Sequence, residues 1–143
     1  MYLDSAIVIK LVVHEPDSLF YGAQVDGQKD VWSSALCLTE CFSALLRKER
    51  EKNLSENDRR QAWAKIQRYV SEGSLKMAPV NEPIFRIANQ ILEVCHPGVP
   101  LRSLDAIHLA CCQWTASWPL LTNDKKMRDA ATRMGLPLGN MPD

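Results

Sequence analysis

Met1-Tyr2-Leu3-Asp4-Ser5-Ala6-Ile7-Val8-Ile9-Lys10 opens the chain, and its reading decides the fold. Tyr2-Leu3 reads as the end of a short buried strand. Ser5 reads as the cap of a helix over about Ala6–Val13, whose dense β-branched residues imply burial on several sides. Between them stands Asp4, a carboxylate flanked by apolar residues and costly to desolvate without a neutralising partner. The nearest basic residue is Lys10, so the partner of Asp4 has to be sought in the rest of the chain.

The following segments repeat the alternation of strand and helix. A short helix starts at Asp17 or Ser18 and ends at Gly27. Val31-Trp32-Ser33 is a brief strand, and Ser34 caps a helix from about Ala35 to Glu49, with Leu38, Cys41, Phe42, Leu45 and Leu46 on its core stripe. Ser55-x-x-Asp58 resembles a capping box and opens a helix to about Ser71, closed by Gly73. Leu75–Val80 is a strand, and Asn81 caps a helix over Glu82–Cys95 with Pro83 in its first turn. Ser103 caps the most apolar helix, from Leu104 to about Thr115. Pro119–Thr122 is a strand, Asn123 begins a helix from Asp124 to Met134, and Leu136-Pro137-Leu138 is a final edge strand, where proline's missing donor is tolerated. This order implies a parallel sheet between layers of helices, in a single α/β domain over residues 1–143. Functional residues in that architecture gather outside the carboxyl ends of the strands.

Bulk properties narrow the function by exclusion. With 17 Lys plus Arg against 17 Asp plus Glu in 143 residues, net charge points to neither a nucleic-acid nor a membrane partner. Hydrophobic content of 46% fits a packed core rather than disorder. Ala6–Val13 is far too short to span a bilayer, and no basic segment precedes an apolar core, so neither membrane insertion nor secretion is expected. Five cysteines without paired C-x-x-C spacing read as small buried thiols in a reducing cytoplasm rather than as a zinc site.

Most acids lie among Lys, Arg, Asn and Gln on solvated faces, but four are out of place. Neighbours three and four positions away share a helical face. Around Glu40 these are Leu36, Cys37, Ser43 and Ala44, so a mid-helix glutamate there must be protonated, paired or bound to a cation. Asp105 has Leu101, Arg102, His108 and Leu109, and Asp124 follows the strand residues Leu120 and Leu121. Asp105 and Asp124 each have a plainer explanation as first-turn acids favoured by the helix dipole by about 0.3–1 kcal/mol. Together with Asp4 they fall at strand ends and helix starts on one sheet edge, within reach of Glu40. Four converging carboxylates suit a hard divalent cation, Mg²⁺ or Mn²⁺, and hence hydrolytic phosphoryl chemistry.

These residues resemble the PIN-domain ribonucleases, in particular the VapC-type toxins of bacterial toxin–antitoxin pairs. The resemblance is carried in order by Leu3-Asp4-Ser5-Ala6 with Val8–Leu11, by Leu38-Thr39-Glu40, by Leu104-Asp105-Ala106-Ile107-His108-Leu109-Ala110, and by Leu121-Thr122-Asn123-Asp124. It implies a PIN-like three-layer α/β/α sandwich with a mostly parallel sheet and a Mg²⁺- or Mn²⁺-dependent endoribonuclease. It places the catalytic, metal-holding acids at Asp4, Glu40, Asp105 and Asp124, with Ser5 and Thr122 supporting them. It further implies an RNA substrate, a cognate antitoxin whose C-terminal segment covers the site, and a homodimer. His108 reads as a packed residue supporting the acids rather than a general base. Arg102, Lys125, Lys126 and Arg128 are candidate contacts to RNA phosphates, or a solvated basic rim. Trp114 and Trp118 read first as packing residues, with base stacking the alternative. A haloacid-dehalogenase-like reading fails because position 6, where Asp-x-Asp needs an acid, is Ala. A receiver-type domain lacks its acidic pair and late lysine. A PIN-like module without catalysis stays open as the alternative.

Overall fold

A computed structural model describes residues 1–142. Its strands are β1 (Tyr2–Leu3), β2 (Trp32–Ser34), β3 (Lys76–Ala78) and β4 (Leu120–Leu121). Its helices are α1 (Ser5–Lys10), α2 (Ser18–Val25), α3 (Leu36–Arg50), α4 (Glu56–Ser71), α5 (Glu82–Cys95), α6 (Ser103–Thr115) and α7 (Lys125–Arg133). The strands pair in parallel in the order β3-β2-β1-β4, so the first strand lies at the centre. Leu138 forms a single parallel bridge to Leu120. The expected edge strand at Leu136–Leu138 is therefore one bridge long, with Pro137 contributing only its carbonyl oxygen to Leu120. No described helix is long and apolar enough to cross a membrane.

Strand alternation sorts the apolar side chains into two layers. Tyr2 and Leu120 pack with Ile84, Ile91 and Leu109 of α5 and α6 and with Met127 of α7. Their neighbours Leu3 and Leu121 pack on the other face with Ile7, Tyr21, Leu45 and Ile66 of α1 to α4. The fold is thus a three-layer α/β/α sandwich. Each fully buried Leu or Ile in these layers contributes roughly 1.5–3 kcal/mol. All five cysteines are buried free thiols, and among the described residues they join no metal-binding cluster.

Several helix starts differ from the sequence reading. Helix α1 is capped by Asp4, not Ser5: the Asp4 carboxylate accepts the Ile7 amide at 2.9 Å, and Ser5 is already helical. Likewise Asp124, rather than Asn123, caps α7 by accepting the Met127 amide at 2.9 Å. Ser103 lies inside α6, whose start at Arg102 has no side-chain cap. Ser55 and Asn81 do cap their helices, as their spacing predicts. Helix α1 also stops at Lys10, three residues short of Val13.

Lys10, the last residue of α1, has its ammonium held by two acids. It is 8% exposed and lies 2.6 Å from both Glu15 and Asp17, while Lys48 of α3 reaches the other Glu15 oxygen at 2.6 Å. Lys10 therefore answers these two acids and leaves Asp4 to other partners. Burial opposes the charge on Glu15, but the hydrogen bonds and charges of Lys10 and Lys48 outweigh it and hold its carboxyl below the usual 4.5. A depressed carboxyl contributes stability in full above about pH 4.5, and that contribution is lost as pH falls through the lower folded value. Lys10→Met is expected to cost about 1–3 kcal/mol at pH 7 by urea denaturation. The cost should shrink measurably at pH 3; an equal cost at both pH values would show that packing, not charge, sets it.

Candidate active site

The site forms because the central strand and its neighbour β4 end side by side. Tyr2 registers with Leu120 and Leu3 with Leu121, and the Asp4 amide donates to the Leu121 carbonyl at 3.2 Å. Asp4 and Thr122 thereby leave the sheet at the same edge. Asp4 is 4% exposed, and its carboxylate is held from two sides. One oxygen takes the Ile7 amide, and the other takes the Thr122 hydroxyl. Thr122 in turn accepts the Asp124 amide on Oγ1 at 3.0 Å, so one hydroxyl ties the first acid to the loop carrying the last. Burial raises the Asp4 carboxyl above its usual value against these donors, and the charge of Asp124 adds to the rise.

A second arm holds Glu40. It projects from α3 and accepts the His108 Nε2–H at 2.7 Å and the Ser5 hydroxyl. His108, on α6, is 3% exposed, and its Nδ1 lies 2.9 Å from the Tyr2 hydroxyl. With Nε2 donating to Glu40, Nδ1 of the neutral ring accepts from Tyr2. Burial opposes a charge on His108, but the hydrogen bond and charge of Glu40 outweigh it and raise its pKa above 6.5. The Glu40 carboxyl is correspondingly held below 4.5: burial pushes it up, and His108 and Ser5 more than reverse this. This half-buried glutamate is paired, and its partner is a histidine.

Asp105, in the first turn of α6, is different. Its Oδ2 is buried with no hydrogen-bond partner. Burial and then the charge of Asp124 raise its carboxyl above the usual 3.8. Asp4, Asp105 and Asp124 thus share one electrostatic neighbourhood, while Glu40 is turned onto His108 and Ser5. Among the described residues, no three Asp, Glu, His or Cys side chains converge into a ready-made metal cage.

The remaining candidates divide. Arg102, Lys125 and Lys126 are exposed on the rim beside Asp105 and Asp124. Arg128 is half-buried and donates to backbone carbonyls of Thr122 and Gly139. Trp118 packs against the α5–α7 core layer, and Trp114 is 56% exposed. Two features escaped the sequence reading. Tyr2 supports His108 through a hydroxyl at the end of a side chain that otherwise reads as core. The two carbonyl contacts of Arg128 are set by backbone positions and leave no mark in residue types.

Known proteins resemble this chain over nearly its whole length. Residues 1–132 match the PIN domain family. Ribonuclease VapC46 of Mycobacterium tuberculosis (strain ATCC 25618 / H37Rv) is 31% identical over 140 residues, spanning 95% of this chain and 93% of that protein. The matched residues span the positions of Asp4, Glu40, Asp105 and Asp124, and the all-parallel sheet between helical layers is the fold that the resemblance implies. The chain belongs to the PIN-domain family, with VapC-type ribonuclease similarity over nearly its whole length.

Proposed function

We propose that this chain is an endoribonuclease that hydrolyses RNA phosphodiester bonds with a divalent cation, and that it is the toxin of a toxin–antitoxin pair. The observation that carries the reading is the buried, unpartnered Asp105 Oδ2 within the field of Asp124, whose charge also bears on the buried Asp4. An orphaned carboxylate oxygen among like charges is a costly arrangement for a structural acid and a suitable one for a cation ligand. The donors are hard carboxylate oxygens, which fits Mg²⁺ or Mn²⁺ better than a soft metal.

Asp4, Asp105 and Asp124 would hold the cation, with Glu40 completing the set. Bound there, it supplies Lewis acidity that activates water and offsets charge building on the scissile phosphate. The protein's own residues aim Asp4 and Glu40. Thr122 fixes one Asp4 oxygen, and the Ile7 amide fixes the other. Ser5 and His108 hold Glu40 as a carboxylate, and Tyr2 orients the imidazole behind it. Arg102, Lys125 and Lys126, exposed at the rim, would meet RNA phosphates. The relative's name, a ribonuclease of VapC type, supports RNA as substrate. An antitoxin covering the site and a homodimer complete the proposal. Exposed Phe85 and Val94 on α5 and Leu104 and Trp114 on α6 offer apolar surface for such partners. The side-by-side but unconverged acids favour, as second reading, a PIN-like module that binds RNA or protein without cleaving.

Incubation with structured and single-stranded RNAs is expected to give cleavage with Mg²⁺ or Mn²⁺ that chelator abolishes. Asp4→Asn and Glu40→Gln should remove it, and Thr122→Val should weaken it by about 10–100-fold. Cleavage undiminished in the acid variants, or absent with both metals across varied RNAs, sinks the nuclease assignment.

Asp105→Asn gives a complementary expectation for stability. The raised Asp105 carboxyl means that its charged form costs stability above its folded pKa and nothing below about 3.8. Without added metal at pH 7, the variant is therefore expected to melt a few degrees higher, on the order of 1 kcal/mol. It should also lose the upward shift that Mn²⁺ gives the wild type. A variant that melts lower and still responds to Mn²⁺ would place Asp105 in a structural role.

A further inference from the structure

Arg128 is among the basic residues beside the site, but its geometry differs from that of its neighbours. Lys125 and Lys126 are exposed, whereas Arg128 is half-buried and directed inward. One guanidinium nitrogen, Nη1, donates to the Thr122 carbonyl at 3.1 Å, and Nη2 donates to the Gly139 carbonyl at 3.2 Å. The first of these belongs to the residue whose hydroxyl holds Asp4 and receives the Asp124 amide. The second belongs to the C-terminal segment, beyond the residues that match the PIN domain family.

That segment is fastened to the site edge at several points. The Leu120 amide donates to Pro137 at 2.9 Å, and the Gly139 amide donates to Leu120 at 2.8 Å. Asn140 exchanges two hydrogen bonds with the Gln24 side chain of α2, at 3.0 and 3.2 Å. The approach is close: a Cβ at position 139 would lie 2.0 Å from Leu121 Cδ2 and 3.3 Å from Gln24 Oε1, so the fully buried Leu121 side chain would have to shift. The planar fork of arginine spans two carbonyl oxygens that a lysine ammonium meets only as a point charge.

We infer that Arg128 is a positioning residue that clasps the C-terminal segment to the end of β4 and so holds Thr122 between Asp4 and Asp124. It does not act as an RNA phosphate contact. The clasp explains why a cation beside an acidic cluster is tied to neutral carbonyls: it braces the strand end without drawing the carboxylates onto itself. Gly139 is its second half, since a side chain there would push against the buried Leu121.

The kinetic part of this inference rests on the ribonuclease reading, and the structural part does not. Amide hydrogen exchange on the full chain tests the clasp directly. In Arg128→Gln, the amides of Asp124, Gly139 and Asn140 should exchange at least about tenfold faster than in wild type, with the α5 amides unchanged. Gly139→Val should produce the same pattern with Arg128 intact, and the double variant should add little to either single change. Arg128→Lys should recover part of the protection. In cleavage of a single-stranded RNA with Mn²⁺, Arg128→Gln should lower kcat about tenfold, with KM and the dependence of binding on salt unchanged. A phosphate contact would instead raise KM and reduce the log–log salt slope by about one, with exchange unaltered, and that result overturns the inference. Unchanged exchange in both variants, or faster exchange with kcat intact, overturns it as well. If the wild type cleaves no RNA, the ribonuclease reading fails and the exchange pattern still decides the clasp.

Discussion

The hydrogen bond from Thr122 to Asp4 is the contact on which the site depends. It joins the ends of two adjacent parallel strands whose sequence positions lie more than a hundred residues apart. Asp4 is buried, and burial works against its charge. Its side chain is held there because both of its oxygens receive donors, one from the helix it caps and one from the neighbouring strand end. The cap alone is worth about 1 kcal/mol. The cross-strand donor adds direction, fixing where a second acid, Asp124, is delivered by the same loop.

The four acids are treated unequally by the fold. Asp4 and Asp124 each follow a strand and cap the next helix, so their backbones are placed by sheet register and their side chains by capping geometry. Glu40 comes from mid-helix, where no cap is available, and is instead steered by a histidine and a serine from two other elements. Asp105 has a buried oxygen with no donor at all. Burial thus works against the charge of both Asp4 and Asp105, and only Asp4 has donors on both oxygens. A cation bound at this edge would relieve that cost, which links the stability of the fold to occupancy of the site.

Around the acids, basic side chains serve two different ends. Lys10 and Lys48 build a network with Glu15 and Asp17 that joins α1, α2 and α3 below the site. Arg128 grips backbone carbonyls at the site's edge, while Arg102, Lys125 and Lys126 stay in solvent. Charge of the same sign thus acts as internal brace or as outward rim according to whether its partners are buried.

Alternating strand and helix patterns, capping signals such as Ser55-x-x-Asp58 and Asn81, and acids on otherwise apolar faces were legible along the chain, because each is a local pattern over a few residues. They suffice for a parallel α/β/α sandwich and for singling out Asp4, Glu40, Asp105 and Asp124. Helix starts at strand ends were less legible: Asp4 and Ser5, or Asn123 and Asp124, are equally good caps locally, and the strand's exit direction chooses between them. What only the tertiary structure decided is who answers whom. Lys10 turns to Glu15 and Asp17, Glu40 takes His108, Tyr2 lends a hydroxyl from what reads as a core position, and Arg128 binds carbonyls that have no side-chain signature. Such pairings depend on distances between elements far apart in the chain, and residue types alone carry no information about those distances.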